Sequence, residues 1–442
     1  MKPSHAILAI LCIASATARS QVVPDLNRPM PLPVSGTLHY DLRYAETTQT
    51  GGYQGGQQMS LASGDASYAN IAKRLPFSVQ YGGGYGWVWA GPPSAGNVFQ
   101  HLSLTQGLVG RSWSITASDN ASYSFETPTT GFSGVAGSGE PIGGASTTTP
   151  SDQTILAVNT RTLDNFTTVG FGQRLNYAMG LSLGGSWGQM RFIDSNALNM
   201  GTESANAGVT RRLNARTSAS GQYSFSRYGY GGAGLTTQSN TAQFYFTRQW
   251  NRQFTTSAGV GPIWSTSSGT SISGSISLPA TTTFLLNASA TYQIRGGAAS
   301  LNYSHGTSGG AGYMLGAKIN SISANYSRDF RKRVTVGFTG SYTSTSSLFA
   351  AELVTTCQSG SGGCLIPLDY TPVTDARYGG VQASRNLGRY LSIFANYTAI
   401  DQSTTLNLTA QNTTNSTNIV NGLYQVIGFG IGYSPREAHL KQ

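Results

Sequence analysis

Val334-Thr335-Val336-Gly337-Phe338-Thr339-Gly340-Ser341-Tyr342 sorts its side chains into two kinds by turns. Val334, Val336, Phe338 and Tyr342 share one parity; Thr335, Gly337, Thr339 and Ser341 share the other. A period of two belongs to a β-strand, whose successive side chains point to opposite faces. The alternation returns elsewhere. Tyr177, Met179, Leu181 and Leu183 stand against Asn176, Ala178, Gly180 and Ser182. Leu391, Ile393, Ala395 and Tyr397 repeat it, and Ile427, Phe429, Ile431 and Tyr433 alternate with Gly428, Gly430 and Gly432. A helix would need apolar residues at i, i+3 and i+4, and no segment holds that spacing over three turns.

Working outward, the chain from about Thr37 repeats one unit: an alternating segment, a tight basic turn, a returning segment, then a longer Gly/Ser/Thr/Asn connection. The tight turns are Lys73-Arg74-Leu75-Pro76, Gly107 to Arg111, Gln173 to Asn176, Arg211 to Arg216, Arg248 to Arg252, Arg295-Gly296-Gly297, Arg328 to Arg333 and Arg385 to Arg389. These join sixteen strands, and one strand before them (Leu38 to Glu46) and one after (Tyr424 to Tyr433) predict about eighteen. Ser271 to Leu278 and Thr154 to Thr162 are ambiguous, and sixteen strands is the nearest alternative. The predicted fold is all-β: a transmembrane, antiparallel, up-and-down β-barrel over residues 37–435. The competing reading is a soluble sandwich, propeller or solenoid. Propellers and solenoids carry a repeat of fixed length, which is absent, and a sandwich does not need uniformly polar inner faces.

Composition agrees. The chain has 56 glycines and 23 tyrosines, and only 10% of its residues are charged, against about 25% in soluble domains. Abundant aromatic and β-branched residues argue against disorder. The formal charge of +10 raises the question of nucleic acid, but the cations recur at turns rather than on a helix with interleaved aromatics, so no nucleic-acid partner is expected.

Met1-Lys2, the apolar run Ala6 to Ala14 and Ala16-Thr17-Ala18 read as a secretory signal over residues 1–18. The apolar run is too short for a spanning helix. Residues 19–36 are Pro-rich and read as a periplasmic segment, and residues 436–442 as a periplasmic tail. After export, Cys357 and Cys364 in CQSGSGGC are expected to form a disulfide in an extracellular loop; no zinc spacing surrounds them.

The repeated unit resembles bacterial outer-membrane β-barrels of the porin type over about Thr37 to Pro435. The resemblance implies an outer-membrane location, outer-membrane lipid as partner, and insertion by the barrel-assembly machinery. That machinery's usual signal is a last amphipathic strand ending in an aromatic. Ile427, Phe429, Ile431 and Tyr433 fit it, while Ser434 to Gln442 extend the chain past it.

Catalytic motifs are weak. Gly184-Gly185-Ser186-Trp187-Gly188 and Gly306-Thr307-Ser308-Gly309-Gly310 match G-x-S-x-G, but a nucleophile elbow needs strand, turn and helix. Gly229-Tyr230-Gly231-Gly232-Ala233-Gly234 lacks a βαβ context. His305 lies near Ser304 and Ser308, and His39 near Asp41, pairs that need contact in space to act. No enzyme, cofactor or metal site is expected. Trp87, Trp89, Trp113, Trp187, Trp250 and Trp264 fit an interfacial girdle, with a sugar-stacking track in the lumen as the alternative.

At this strand number the interior holds water, and its face is expected to be Ser, Thr, Gly, Asn and Gln without apolar filling. The function predicted is passive diffusion of small hydrophilic solutes. A polysaccharide-export barrel and a structural or adhesive barrel are the alternatives, with the oligomeric state open. Lys73, Arg74, Arg111, Arg174, Arg211, Arg212, Arg248, Arg252, Arg295, Arg328, Arg331, Lys332, Arg333, Arg385 and Arg389 mark a basic periplasmic rim. That rim gives a mild anion preference if it faces the pore, or anchors the wall if the side chains reach outward to headgroups.

Overall fold

Alternating side chains make good strands only if both faces find the right surroundings, and a closed sheet supplies two. In the computed structural model, the described residues are 37–51, 56–70, 74–91, 97–126, 160–193, 199–231, 235–271, 274–308, 316–330, 334–348, 351–352, 369–388, 390–408, 422–435 and 438–439. They form eighteen long strands: β1 (Thr37–Gly51), β2 (Gln57–Asn70), β3 (Phe77–Ala90), β4 (Asn97–Val109), β5 (Trp113–Glu126), β6 (Thr160–Arg174), β7 (Met179–Phe192), β8 (Met200–Arg212), β9 (Thr217–Tyr230), β10 (Leu235–Gln249), β11 (Phe254–Ser271), β12 (Gly274–Ile294), β13 (Gly297–Ser308), β14 (Ala317–Phe330), β15 (Val334–Ser347), β16 (Asp369–Asn386), β17 (Leu391–Leu408) and β18 (Gly422–Tyr433). Each is antiparallel to the next, and β18 closes onto β1 from Leu42↔Tyr433 to Gly51↔Tyr424. Closure leaves no long edge with unpaired backbone groups, which a sheet in hydrocarbon cannot tolerate.

The strand number, the up-and-down order and all eight tight turns fall as the sequence predicts. Gly274 to Leu278 pairs with Ser267 to Ser271 as an extension of the β11–β12 hairpin, so it adds no strand. Tyr177 departs from expectation: it lies in the turn before β7 and is 95% exposed. The cause is Asn176, whose Oδ1 accepts from the backbone N–H groups of Ala178 and Met179, both at 2.8 Å. Asn251 does the same for Gln253 and Phe254 at 2.8 and 2.7 Å, and Asn214 for Arg216 at 2.9 Å. A side chain that mimics a backbone acceptor fixes such turns. The β12–β13 turn uses Gly296 at φ +77° instead, a conformation open to glycine. Past the last strand, Ala438–His439 pairs with Thr37 and Leu38, so the tail extends the sheet by two residues.

The outer face is the one with the exposed large apolar residues: Phe338, Val381, Ile427, Phe429 and Ile431 among them. The six tryptophans are all exposed, five on strands with outward parity and Trp250 at a turn, which places them as a girdle and not as a track in the lumen. The signal, the Pro-rich segment at 19–36, the long loop after β5 and the pair Cys357 and Cys364 lie outside the described residues.

Candidate functional site

The inner face of the wall is the candidate site. Between β5 and β14 it carries hydroxyls paired across neighbouring strands. Ser118 meets Thr168 at 2.5 Å, Ser186 meets Ser204 at 2.6 Å, Ser257 meets Ser289 at 2.7 Å and Ser304 meets Ser321 at 2.6 Å. Ser265 donates to Ser239, and Thr237 to Ser267, both at 3.2 Å. Each pair satisfies part of both hydroxyls and leaves lone pairs for water or a passing solute.

Two findings correct the expected inner face. First, it is not free of apolar residues. Ala45, Leu61, Phe99 and Phe394 form a buried cluster on it, and Met190, Met200, Tyr228 and Tyr230 form a second. Ile263, Ile319 and Ile400 are also buried with inward parity. Glycines make the first cluster possible: a methyl at Gly84 would overlap the Phe99 ring, and one at Gly430 the Phe394 ring.

Second, it carries charge, and that charge is grouped. Among the described residues, inward-facing charge along the strands falls on β1, β2 and β6, with histidines on β1 and β4. Asp41, Arg43, Asp65 and Asp164 are the charged members, joined by His39 and His101. From β7 to β18 the inner face is uncharged except at the turn ends, where Arg212 and Asp329 sit. Register explains the grouping. Asp41 faces Asp65, Asp65 faces Gly82, Gly82 faces His101, His101 faces Ser122, and Ser122 faces Asp164. One inward row therefore runs across six strands about 4.8 Å apart. Arg43 makes an ion pair with Asp41 and stands 3.7 Å from Asp65 Oδ2. A methyl at Gly82 would overlap both the Asp65 carboxylate and the His101 imidazole, which lean over that glycine from either side.

Other sequence candidates separate. His305 faces outward beside Asn320, whereas Ser304 and Ser308 have inward parity, so the His–Ser pair does not form. Ser186 lies within β7 and bonds Ser204, without a following helix. His39 and Asp41 do share the inner face.

The basic rim splits as well. Arg174 and Arg212 have inward parity, and Arg212 is tied to the carbonyls of Asn214 and Ala215 at 3.1 and 3.3 Å. Arg211, Arg248, Arg328 and Arg385 have outward parity. Arg248 lies 4.1 Å over the Trp250 ring and Arg328 5.1 Å over Phe330, as expected of cations anchored at an interface. Arg74, Arg111, Arg252 and Arg295 are exposed in or beside turns. Lys73, Arg331, Lys332, Arg333 and Arg389 lie outside the described residues.

An even-stranded, closed antiparallel barrel with an apolar outer belt, aromatic girdle and polar interior is the build of a bacterial outer-membrane barrel of the porin type. No family model and no curated protein matches the sequence. Among solved structures the chain is similar to OpdL of Pseudomonas aeruginosa, at 11% identity over 90% of this chain and 98% of that one, with a TM-score of 0.41. It is similar also to OccK2 (OpdF) of Pseudomonas aeruginosa in complex with glucuronate (10% identity, 90% and 98%, TM-score 0.42). A third is the unliganded ferric citrate transporter FecA (9% identity, 91% and 65%, TM-score 0.45).

Proposed function

We propose that the barrel is a passive channel for small hydrophilic solutes. The observation that carries this is the hydroxyl ladder on the inner face of an eighteen-strand closed wall. Barrels of this size have room for water, and paired hydroxyls exchange hydrogen bonds with a solute without holding it tightly. The finer part of the proposal is a mild anion preference from the periplasmic rim. It rests on Arg174 and Arg212, whose parity points to the pore, since Arg211, Arg248, Arg328 and Arg385 face lipid. Exposed charges are screened within about 8 Å at physiological salt, so the preference is small and fades as salt rises. The test is conductance of the purified protein in planar bilayers, with liposome swelling in sugars of graded size. Steady conductance and a size cut-off are expected; a bilayer that stays silent at high protein loading overturns the channel.

A further inference from the structure

On the inner face of β1 to β6 the unpartnered carboxyl oxygens outnumber the unpartnered donor of the group, Arg43 Nη1. Asp41 Oδ1, Asp65 Oδ1, His101 Nδ1 and Asp164 Oδ1 are all buried without a hydrogen-bond partner. The Asp65 side chain is only 3% exposed, and those of Asp41 and Arg43 10% each. Arg43 is one cation between two carboxylates, and Ser122 reaches Asp164 Oδ2 only at 3.5 Å. The row thus combines unpartnered carboxyl oxygens with three carboxyl groups to one guanidinium. Buried acceptors left empty are costly, and rows of them persist where something else fills them.

The geometry points to this row as a recognition site for a cationic nitrogen of a permeating solute, an alkylammonium group at the end of a hydrophilic molecule. An ammonium carries three donors, a positive charge and no acceptor, which is what the row lacks. Gly82 supplies the place. It has no side chain, the Asp65 carboxylate and the His101 imidazole meet above it, and both turn about their own side-chain bonds to admit a small group. The acceptors are recessed in the wall, so the tip of a solute fits and a bulky cation does not. Next to the row, Phe99, Leu61 and Phe394 offer an apolar surface for the alkyl stem. The unpartnered acceptors on the described inner face of β14 to β17, Asn325 Oδ1, Gln382 Oε1 and Asn396 Oδ1, are neutral carboxamides, and Asp329 sits at a turn end, so the carboxyl cluster lies on one side of the pore. This inference rests on the channel reading but not on the sign of the rim.

The test is block of potassium current through the full-length protein in planar bilayers by the diamine cadaverine. The neutral diol of the same chain length serves as control. Saturable block by the diamine and none by the diol is expected. Asp65→Asn should raise the half-blocking concentration about tenfold, the worth of one charge-assisted hydrogen bond. Gly82→Ala, which fills the place and removes no charge, should weaken block similarly. Heat-modifiable migration checks that each variant has folded, and removing a buried charge with Asp65→Asn should not impair that. A conducting wild type whose block is absent or unsaturable, or variants whose half-blocking concentrations stay at the wild-type value, overturn the site while the channel stands. A wild type that does not conduct fails the channel itself.

Discussion

Two parts of one inner wall differ in chemistry though they share period, parity and fold. From β7 to β18 the described inner face is hydroxyls, amides and small apolar clusters, charged only at its turn ends. From β1 to β6 it holds Asp41, Arg43, Asp65, His101 and Asp164 in adjoining positions. In the uncharged part hydroxyls pair across strands, as Ser186 with Ser204 and Ser304 with Ser321, and the buried atoms without a partner there, among them Asn325 Oδ1, Gln382 Oε1 and Asn396 Oδ1, belong to neutral side chains. In the charged part they include carboxyl oxygens of Asp41, Asp65 and Asp164. The difference teaches that a closed wall of this size forms without inward charge along its strands, so the buried carboxyls of β1 to β6 are an added feature that needs its own account.

That comparison can be broken most forcefully at Arg43. Arg43→Met leaves Asp41 and Asp65 facing each other without their cation. Removing one partner of a buried ion pair costs about 3–5 kcal/mol, so the urea midpoint of the detergent-folded barrel should drop sharply. Adding Asp65→Asn to that variant should restore much of the loss. If Arg43→Met unfolds at the wild-type midpoint, the charged part contributes no more than the hydroxyl part and the contrast fails.

In the hydroxyl part a single deletion should be mild. Ser204→Ala removes the 2.6 Å bond to Ser186, worth about 0.5–1.5 kcal/mol, and conductance should stay as in wild type. A loss as large as that of Arg43→Met would mean that the ladder carries the fold.

Smaller effects separate the rim from the wall. Arg212→Glu, on the pore side, should move the reversal potential in a salt gradient toward cations. Arg248→Glu, stacked outside on Trp250, should leave it in place. Equal shifts from both variants would mean that facing does not matter and that the field of the whole rim sets selectivity.

The smallest effect is expected away from both walls. Mass spectrometry without reduction should find Cys357 joined to Cys364, and reduction should leave heat-modifiable migration unchanged, because the bond closes only a short loop. Two free thiols in protein taken from membranes would remove the disulfide.

Much of this molecule is legible in the sequence because a barrel strand is a local object. Val334 to Tyr342 shows its two faces without help from any other residue, and the basic turns count the hairpins. The turn chemistry was less legible: Asn176, Asn214 and Asn251 stand among arginines that draw attention first, yet their carboxamides shape the turns. Arg211 and Arg212 show the limit of reading by proximity. They are neighbours at one turn and face opposite sides, because parity and not position decides.

What the sequence determined by itself is the strand, its period, the approximate number of strands and the side on which the turns are short. What only the tertiary structure decided is which inward residues become neighbours. Asp41, Asp65, His101 and Asp164 look scattered along the chain and become one row through the register of five successive pairings. The physical reason is that faces follow from alternation within one strand, whereas register follows from closure of the whole sheet, where a slip of one residue would turn every side chain of a strand to the other face.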